Sequence, residues 1–163
     1  MAEVAQLARE LGEALSRQGW MATTAESCTG GGVSMAITEI AGSSVWFDRA
    51  FVTYSNEAKQ QMLGVAAATL AEHGAVSEAV AAEMATGALV HSDASISVSV
   101  SGIAGPGGGS VLKPVGTVCF SWADRTGWTA SETCHFAGDR QAVRTQAIEK
   151  ALCGLLHRLQ QMP

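Results

Sequence analysis

The chain has 163 residues, of which 47% are hydrophobic and 15% are charged, and its formal net charge is −5. A chain of this length can bury a sizeable core, and we expect a single domain over residues 1–163. The acidic balance and the lack of a basic cluster argue against a nucleic-acid partner. Because no run of about 18 apolar residues occurs and the N-terminus does not resemble a signal peptide, no membrane partner is expected. The protein is predicted to be cytoplasmic.

The cysteines are scattered along the chain and do not have the spacing of metal ligands. They are Cys28, Cys119, Cys134 and Cys153. We therefore expect reduced thiols, no metal site and no cofactor.

The first elements in chain order are a helix, a strand and a second helix. Apolar residues at helical spacing predict an amphipathic helix over 3–18, and a short strand is predicted over 19–24. Residues 25–32 then read Ala-Glu-Ser-Cys-Thr-Gly-Gly-Gly, and helical spacing returns over 33–40. This pattern predicts a strand-to-helix turn with a glycine-rich start to the helix. Aromatic and β-branched residues over 46–54 predict the next strand.

The turn carries two candidate nucleophiles side by side, Ser27 and Cys28. A strand-to-helix turn directs unpaired backbone N–H groups and the positive end of the helix towards one place. A hydroxyl or thiol beside such donors suits acyl transfer, because the donors can stabilise an oxyanion. A simpler interpretation is that Ser27 or Thr29 only caps the helix and that the glycines allow close packing. The residues by themselves leave both interpretations open.

A second informative segment surrounds Lys59. Ser55 is a good N-cap for a helix that runs to Leu63, which places Tyr54 at N′ and Lys59 at N4. These two positions commonly pack against each other at a helix entry, so the phenol of Tyr54 and the stem of Lys59 are predicted neighbours. The alternative is an exposed lysine in loose contact with a tyrosine, and the residues alone favour it because exposed lysines are the norm.

The middle of the chain predicts further helices and a strand that ends in a loop. A capping-box pattern at Thr69 and Glu72 predicts a short helix, and Ser77 is predicted to cap a longer one. Over 94–101, isoleucine and valine alternate with serine, which predicts a strand whose serine face lies close under a helix. The strand leads into a second glycine-rich loop over 102–109, which fits neither the dinucleotide fingerprint nor the P-loop. A flexible surface loop is the alternative.

The C-terminal part predicts a β-hairpin and a long helix. Residues 116–123 and 128–136 are strands joined by a turn-forming tetrapeptide, and the last helix opens at Asp139. Arg140 and Arg144 lie one turn apart near its start, where basic residues oppose the helix dipole. Either a solvated face or a bound anion is consistent with this placement.

Together these elements predict a three-layer α/β/α fold with a mixed sheet of about five strands and helices on both faces. Both glycine-rich loops follow strands and can therefore lie at the same carboxyl edge of the sheet. That edge is where open α/β sheets place their ligands.

The chain resembles the CinA C-terminal domain family, the nicotinamide mononucleotide deamidases. The matching segments occur in one order along most of the chain: Ala25–Gly31, Gly42–Ser44, Phe47–Arg49, Val52–Lys59, Gly74–Ser77, Gly102–Gly108, Lys113–Thr117 and Gly138–Arg140. The departures are small, with Ser101 in place of the usual threonine and an atypical linker over 110–112.

The resemblance implies that the amide of nicotinamide mononucleotide is hydrolysed to the acid and ammonia, in pyridine-nucleotide salvage. It implies Ser27 as the nucleophile and Lys59 as its base, with Tyr54 close by, and a small-molecule nucleotide as the partner. The residues expected to bind the substrate, with backbone N–H groups near the first three holding the oxyanion, are Thr29, Gly30, Gly31, Gly102, Gly105 and Arg140.

Two other readings remain at this point. The chain could be a non-catalytic module that binds a nucleotide or anion, or an amidase that uses Cys28 as its nucleophile. The sequence also leaves open whether the chain forms homo-oligomers.

Overall fold

The structure is a computed structural model that describes residues 2–163. Within these residues, the helices are α1 (Ala2–Gln18), α2 (Gly32–Thr38), α3 (Asn56–Leu63), α4 (Ala67–His73), α5 (Glu78–Val90) and α6 (Arg140–Gln160). The strands in the same range are β1 (Ala22–Glu26), β2 (Phe47–Val52), β3 (Ile96–Gly102), β4 (Thr117–Asp124) and β5 (Thr129–His135). A short 3₁₀ turn at Ser43–Val45 precedes β2.

The strands form one mixed sheet in the order β2-β1-β3-β4-β5. β1 is parallel to both β2 and β3, whereas β4 is antiparallel to β3 and to β5. The predicted α/β fold with a mixed sheet is therefore confirmed, including the C-terminal hairpin. Gly127 lies in the hairpin turn with a φ of +93°, a conformation that glycine adopts without strain.

Helices cover both faces of the sheet. One face packs against α1, α2 and α6, and the other packs mainly against α5. Helices α3 and α4 in turn pack against α5. Residues 96–101 of β3 explain this division, because their isoleucine and valines enter the larger core while their serines face α5. The Ser97 hydroxyl donates to the Ala85 carbonyl at 2.8 Å, so the helix lies close to the strand. Burial of each apolar side chain stabilises the fold by about 1.5–3 kcal/mol.

The connections place a crevice between the carboxyl ends of β1 and β3. From β1 the chain passes through α2 on one face to β2, and from β2 it passes through α3, α4 and α5 on the other face to β3. From β1 the chain moves to one side, to β2, and from β3 it moves to the other side, to β4. The strand order therefore reverses between β1 and β3, which opens a ligand crevice at their carboxyl ends. Both glycine-rich loops lie at this edge, as predicted.

Two local predictions differ from the structure. β1 begins at Ala22 and continues to Glu26, so the strand includes the first two residues of the predicted turn. α4 begins at Ala67, and no capping box forms at Thr69. The reason is tertiary: Glu83 of α5 accepts hydrogen bonds from the Ala66 N–H at 2.8 Å and from the Thr69 hydroxyl at 2.6 Å.

Candidate active site

Ser27 lies at the point where β1 leaves the sheet. Its N–H donates to the Val100 carbonyl of β3 at 2.9 Å, and its own carbonyl accepts from the Gly30 N–H at 3.1 Å. Gly30 and Gly31 have φ values of +58° and +99°, which is the left-handed region that glycine enters without a steric penalty. The turn is therefore tight, and it places the Ser27 side chain at the carboxyl edge of the sheet with 7% of its surface exposed.

The N-terminus of α2 is occupied by a side chain of the protein. The Glu26 carboxylate accepts hydrogen bonds from the Val33 and Ser34 N–H groups, each at 2.9 Å. These two N–H groups of the first turn are therefore not free to bind a substrate. A buried carboxylate satisfies those N–H groups because Gly31, at the N-cap, has no side chain to do so.

Lys59 is buried, with 1% of its surface exposed, so the surface-lysine interpretation is wrong. The Ser55 hydroxyl accepts from the Ala58 N–H at 3.0 Å, which confirms Ser55 as the N-cap of α3 and Lys59 as N4. From there the Lys59 side chain turns into the molecule. Its Nζ lies 3.0 Å from the Ser27 Oγ, across 32 residues of sequence.

The Lys59 amine is buried among hydrogen-bond acceptors. Nζ donates to the carbonyls of Thr53 at 3.0 Å and of Tyr54 at 3.2 Å. Nζ also donates to the Ser27 Oγ, so three acceptors surround the amine. In the neutral amine, which has two N–H bonds and one lone pair, the two carbonyls would take both N–H bonds and the lone pair would face the Ser27 Oγ. Burial lowers the pKa of Lys59, although the nearby Cys28 acts weakly in the opposite direction. Within residues 2–163 no carboxylate forms an ion pair with Lys59.

Tyr54 meets Lys59 through its backbone. Nζ donates to the Tyr54 carbonyl at 3.2 Å, while the pairing of the phenol with the lysine stem stays a prediction. The same carbonyl lies 3.4 Å from the Ser27 Oγ. The Tyr54 residue is 66% exposed and lines the mouth of the adjoining cavity. The Tyr54 carbonyl therefore lies beside the Lys59 amine and the Ser27 hydroxyl, whereas the residue as a whole is exposed at the cavity.

Cys28 packs in the core and also lines the cavity that adjoins Ser27 and Lys59. Only 6% of its surface is exposed, and it packs in the larger apolar core. Burial, the largest effect, raises the pKa of its thiol to about 11, and the charge of Glu26 acts in the same direction. Because the thiolate is the reactive form of cysteine, this environment makes Cys28 a poor nucleophile near neutral pH.

A cavity of about 300 Å³ adjoins Ser27 and Lys59. Of the predicted substrate-binding residues, Gly102, Gly105 and Arg140 line it. Asn56, Ala75 and Val76 also line it and were not among the predicted site residues. Asn56 follows the N-cap of α3 and precedes Lys59 on the same helix, which could have indicated it. Ala75 and Val76 lie before α5, in a segment that matches the family.

A second cavity of about 1030 Å³ shares Arg140 with the first and is also lined by Thr29 and Arg144. Gly30 and Gly31 line neither cavity; they shape the turn. The Thr29 hydroxyl points inward and donates to Glu26 at 2.7 Å.

Two guanidinium groups stand at this cavity without an acidic partner. Arg140 donates to the Gly105 carbonyl at 2.7 Å, and Arg144 donates to the Thr29 carbonyl at 3.1 Å. Neither forms an ion pair with a carboxylate of residues 2–163. Their remaining N–H groups and uncompensated charge suit an anion such as a phosphate.

Two further properties concern the described part of the chain. Residues 2–163 contain no group of three or more His, Cys, Asp or Glu side chains placed to hold a metal ion. None of the helices in this range is long and apolar enough to span a membrane.

The fold and the site define an α/β protein with a buried serine–lysine pair at the switch point of its sheet. The chain belongs to the CinA C-terminal domain family, whose profile matches residues 4–159.

Similar proteins have been named for an activity. The chain is 59% identical to the nicotinamide-nucleotide amidohydrolase PncC of Escherichia coli K12 over 150 residues, which is 92% of this chain and 91% of that protein. It is 50% identical to the protein of the same name from Pseudomonas putida, over 96% of this chain and 97% of that protein.

Solved structures of the superfamily share the fold. The competence/damage inducible protein CihA of Agrobacterium tumefaciens superposes with a TM-score of 0.94 at 46% identity, covering 98% of this chain and 96% of its own. A CinA superfamily protein of Klebsiella pneumoniae superposes with a TM-score of 0.93 at 42% identity, covering 98% and 99% of the two chains.

Proposed function

We propose that this protein is an amidohydrolase that converts nicotinamide mononucleotide and water into nicotinate mononucleotide and ammonia. The observation that carries the proposal is the 3.0 Å distance between the Ser27 Oγ and the Nζ of the buried Lys59. The names of the relatives, at 59% and 50% identity, support the choice of substrate. The reaction would serve pyridine-nucleotide salvage.

In the first half of the reaction, the Ser27 Oγ attacks the carboxamide carbon of the substrate. The Ser27 proton passes to the lone pair of Lys59, because the Thr53 and Tyr54 carbonyls engage the other two positions on the amine. When the tetrahedral intermediate collapses, the C–N bond breaks and the ammonium of Lys59 returns the proton to the leaving nitrogen. Ammonia departs and a nicotinoyl ester of Ser27 remains.

In the second half, a water molecule replaces ammonia in the cavity. Lys59, again neutral, accepts a proton from this water as its oxygen attacks the ester carbon. The ester C–O bond breaks, Ser27 recovers its proton from Lys59, and the acid is released. We assign the phenol of Tyr54, which lines the cavity, to the relay of the proton from Lys59 to the leaving ammonia in the first half.

The oxyanion requires backbone N–H donors near Ser27. Of the three residues expected to supply them, Gly30 already donates to the Ser27 carbonyl. The N–H groups of Thr29 and Gly31 have no acceptor within residues 2–163, and we assign that of Thr29 to the oxyanion because it is nearer to the nucleophile in the chain. The first turn of α2 does not contribute, because Glu26 occupies it.

The nucleotide part of the substrate would extend from the small cavity towards Arg140. Gly102 and Gly105 line the small cavity, and Arg140 lines both cavities. A guanidinium without an acidic partner binds a phosphate through charge-assisted hydrogen bonds. We therefore assign the substrate phosphate to Arg140.

The test is an ammonia-release assay with nicotinamide, its riboside, its mononucleotide and the dinucleotide, with Ser27→Ala as the negative control. We expect the mononucleotide to be hydrolysed best and the variant to release no ammonia above background. Binding of the mononucleotide without ammonia release would instead make the chain a non-catalytic nucleotide-binding module.

A further inference from the structure

The carboxylate next to the nucleophile is wholly buried and accepts four hydrogen bonds. Glu26 is the last residue of β1, has 0% of its surface exposed, and lies between Val52 of β2 and Val100 of β3 in the sheet. The mechanism described above does not use it. A carboxylate is costly to bury unless its oxygens are fully hydrogen-bonded, so such a group calls for an explanation.

The four donors come from both sides of Ser27. On the strand side, the Thr24 hydroxyl donates to Glu26 Oε2 at 2.9 Å. On the helix side, the Thr29 hydroxyl donates to Oε1 at 2.7 Å, and the Val33 and Ser34 N–H groups each donate at 2.9 Å. One side chain therefore ties the end of β1 and the start of α2 to the same point, and the turn that carries Ser27 is the segment between them.

We propose that Glu26 is a positioning residue, whose four hydrogen bonds hold the turn so that the Ser27 Oγ lies within hydrogen-bond distance of the Lys59 Nζ. This role rests on the proposed function for its effect on catalysis. The position of a nucleophile relative to its base must be held within a fraction of an ångström for efficient proton transfer. Glycines at 30 and 31 cannot supply that stiffness by themselves, because their backbone is the most permissive in proteins.

The geometry makes glutamine an informative replacement. Each oxygen of Glu26 accepts from one hydroxyl and one backbone N–H. A glutamine has the same shape but places an NH₂ group, a donor, where one of these oxygens was. The threonine hydroxyl that faces this NH₂ can rotate and accept from it, but the backbone N–H at the start of α2 can only donate. The turn must shift to separate these two donors.

The experiment compares Glu26→Gln with Asp124→Asn. Asp124 is a second buried carboxylate, 4% exposed, which accepts from Thr126 and Arg158 at the opposite edge of the sheet. We expect Glu26→Gln to lower kcat for nicotinamide mononucleotide by about tenfold or more with KM changed less than about twofold. Asp124→Asn, assayed at an equal folded fraction, should retain kcat within about twofold of the wild type.

Crystal structures of the wild type and of Glu26→Gln provide a readout that does not depend on turnover. We expect the Ser27 Oγ–Lys59 Nζ distance to exceed about 3.5 Å in the variant. If the wild type releases no ammonia, the proposed function fails while this distance still decides the role of Glu26. A folded variant that keeps the wild-type distance, or that keeps the wild-type kcat, overturns the role. So does a loss of kcat that Asp124→Asn reproduces.

Thr24 provides a milder perturbation should Glu26→Gln fail to fold. Thr24→Val keeps the shape of a residue that is 0% exposed and removes one of the four donors. We expect kcat to fall about threefold, and Thr24→Ser, which keeps the hydroxyl, to recover most of that loss. A valine variant with wild-type kcat, or a serine variant as slow as the valine one, contradicts the proposal.

Discussion

Replacing Lys59 with methionine removes the proposed base and should abolish most of the activity. A general base contributes about 10²–10⁴-fold to the rate, and a serine hydroxyl depends on such a base near neutral pH. We expect the kcat of Lys59→Met to fall by at least about 10²-fold. Lys113→Met is the matched control, because Lys113 donates to the His73 carbonyl and lines neither cavity. It should affect kcat much less.

The pH dependence tests the protonation state of Lys59 directly. A lysine with the ordinary pKa of 10.5 is neutral in only about one molecule in 10³ at a pH of about 7.5. Burial lowers the pKa of Lys59 and so enlarges that fraction. On the acid limb, kcat/KM should rise about tenfold per pH unit and level off at the pKa of the free enzyme's Lys59, which is below 10.5.

The stability of the folded chain should report the same pKa. Between the lowered pKa of Lys59 in the folded state and 10.5 in the unfolded state, only the unfolded chain carries the extra proton. The free energy of unfolding of the wild type should therefore rise with pH across this window, relative to Lys59→Met, by about 1.4 kcal/mol per pH unit. Below the window and above it, the difference between the two proteins should not change with pH.

The assays are ammonia release from nicotinamide mononucleotide and urea unfolding, each over a series of pH values. A wild-type rate that continues to rise through 10.5 would mean that Lys59 keeps an ordinary pKa, and burial would then have no effect on the base. A Lys59→Met variant with near-normal kcat would remove Lys59 from the mechanism altogether.

Three further predictions concern the nucleophile, the phosphate and the packing of α3. Ser27→Ala should lose several orders of magnitude in kcat, whereas Cys28→Ala, which truncates a core thiol, should mainly lower the free energy of unfolding. An active Ser27→Ala with an inactive Cys28→Ala would identify the cysteine as the nucleophile. Arg140→Ala should raise KM for the mononucleotide by about 10-fold or more while leaving that of the riboside unchanged, and a riboside hydrolysed as well as the mononucleotide by the wild type would contradict this assignment. Gly87→Ala should lower the free energy of unfolding by about 1–3 kcal/mol in urea, because the added Cβ would overlap the Leu63 carbonyl at the end of α3, and unchanged stability would refute the close contact.

The periodicity of the sequence determined most of the secondary structure, because side-chain period and capping are local properties. The serines of β3 alternate with apolar residues, and this alone predicted a strand with a helix close to its serine face. Ser55 and Ser77 were recognisable as N-caps from their types and positions, and they cap the helices α3 and α5. The roles assigned to Ser27 and Lys59 came from the family resemblance, since no local pattern relates two residues 32 positions apart.

Tertiary structure decided the environment of each group at the site. Lys59 looks like a surface residue on an eight-residue helix, and it is buried only because α3 packs beside α5 and the strand edge carries the Thr53 and Tyr54 carbonyls towards it. In the sequence, nothing distinguishes Glu26 from any other acid that precedes a serine. In the structure, the start of α2 lies against its carboxylate, which accepts four hydrogen bonds. Hydrogen bonds between distant segments depend on strand order and on which face each connection crosses, and these are set by the packing of the whole core.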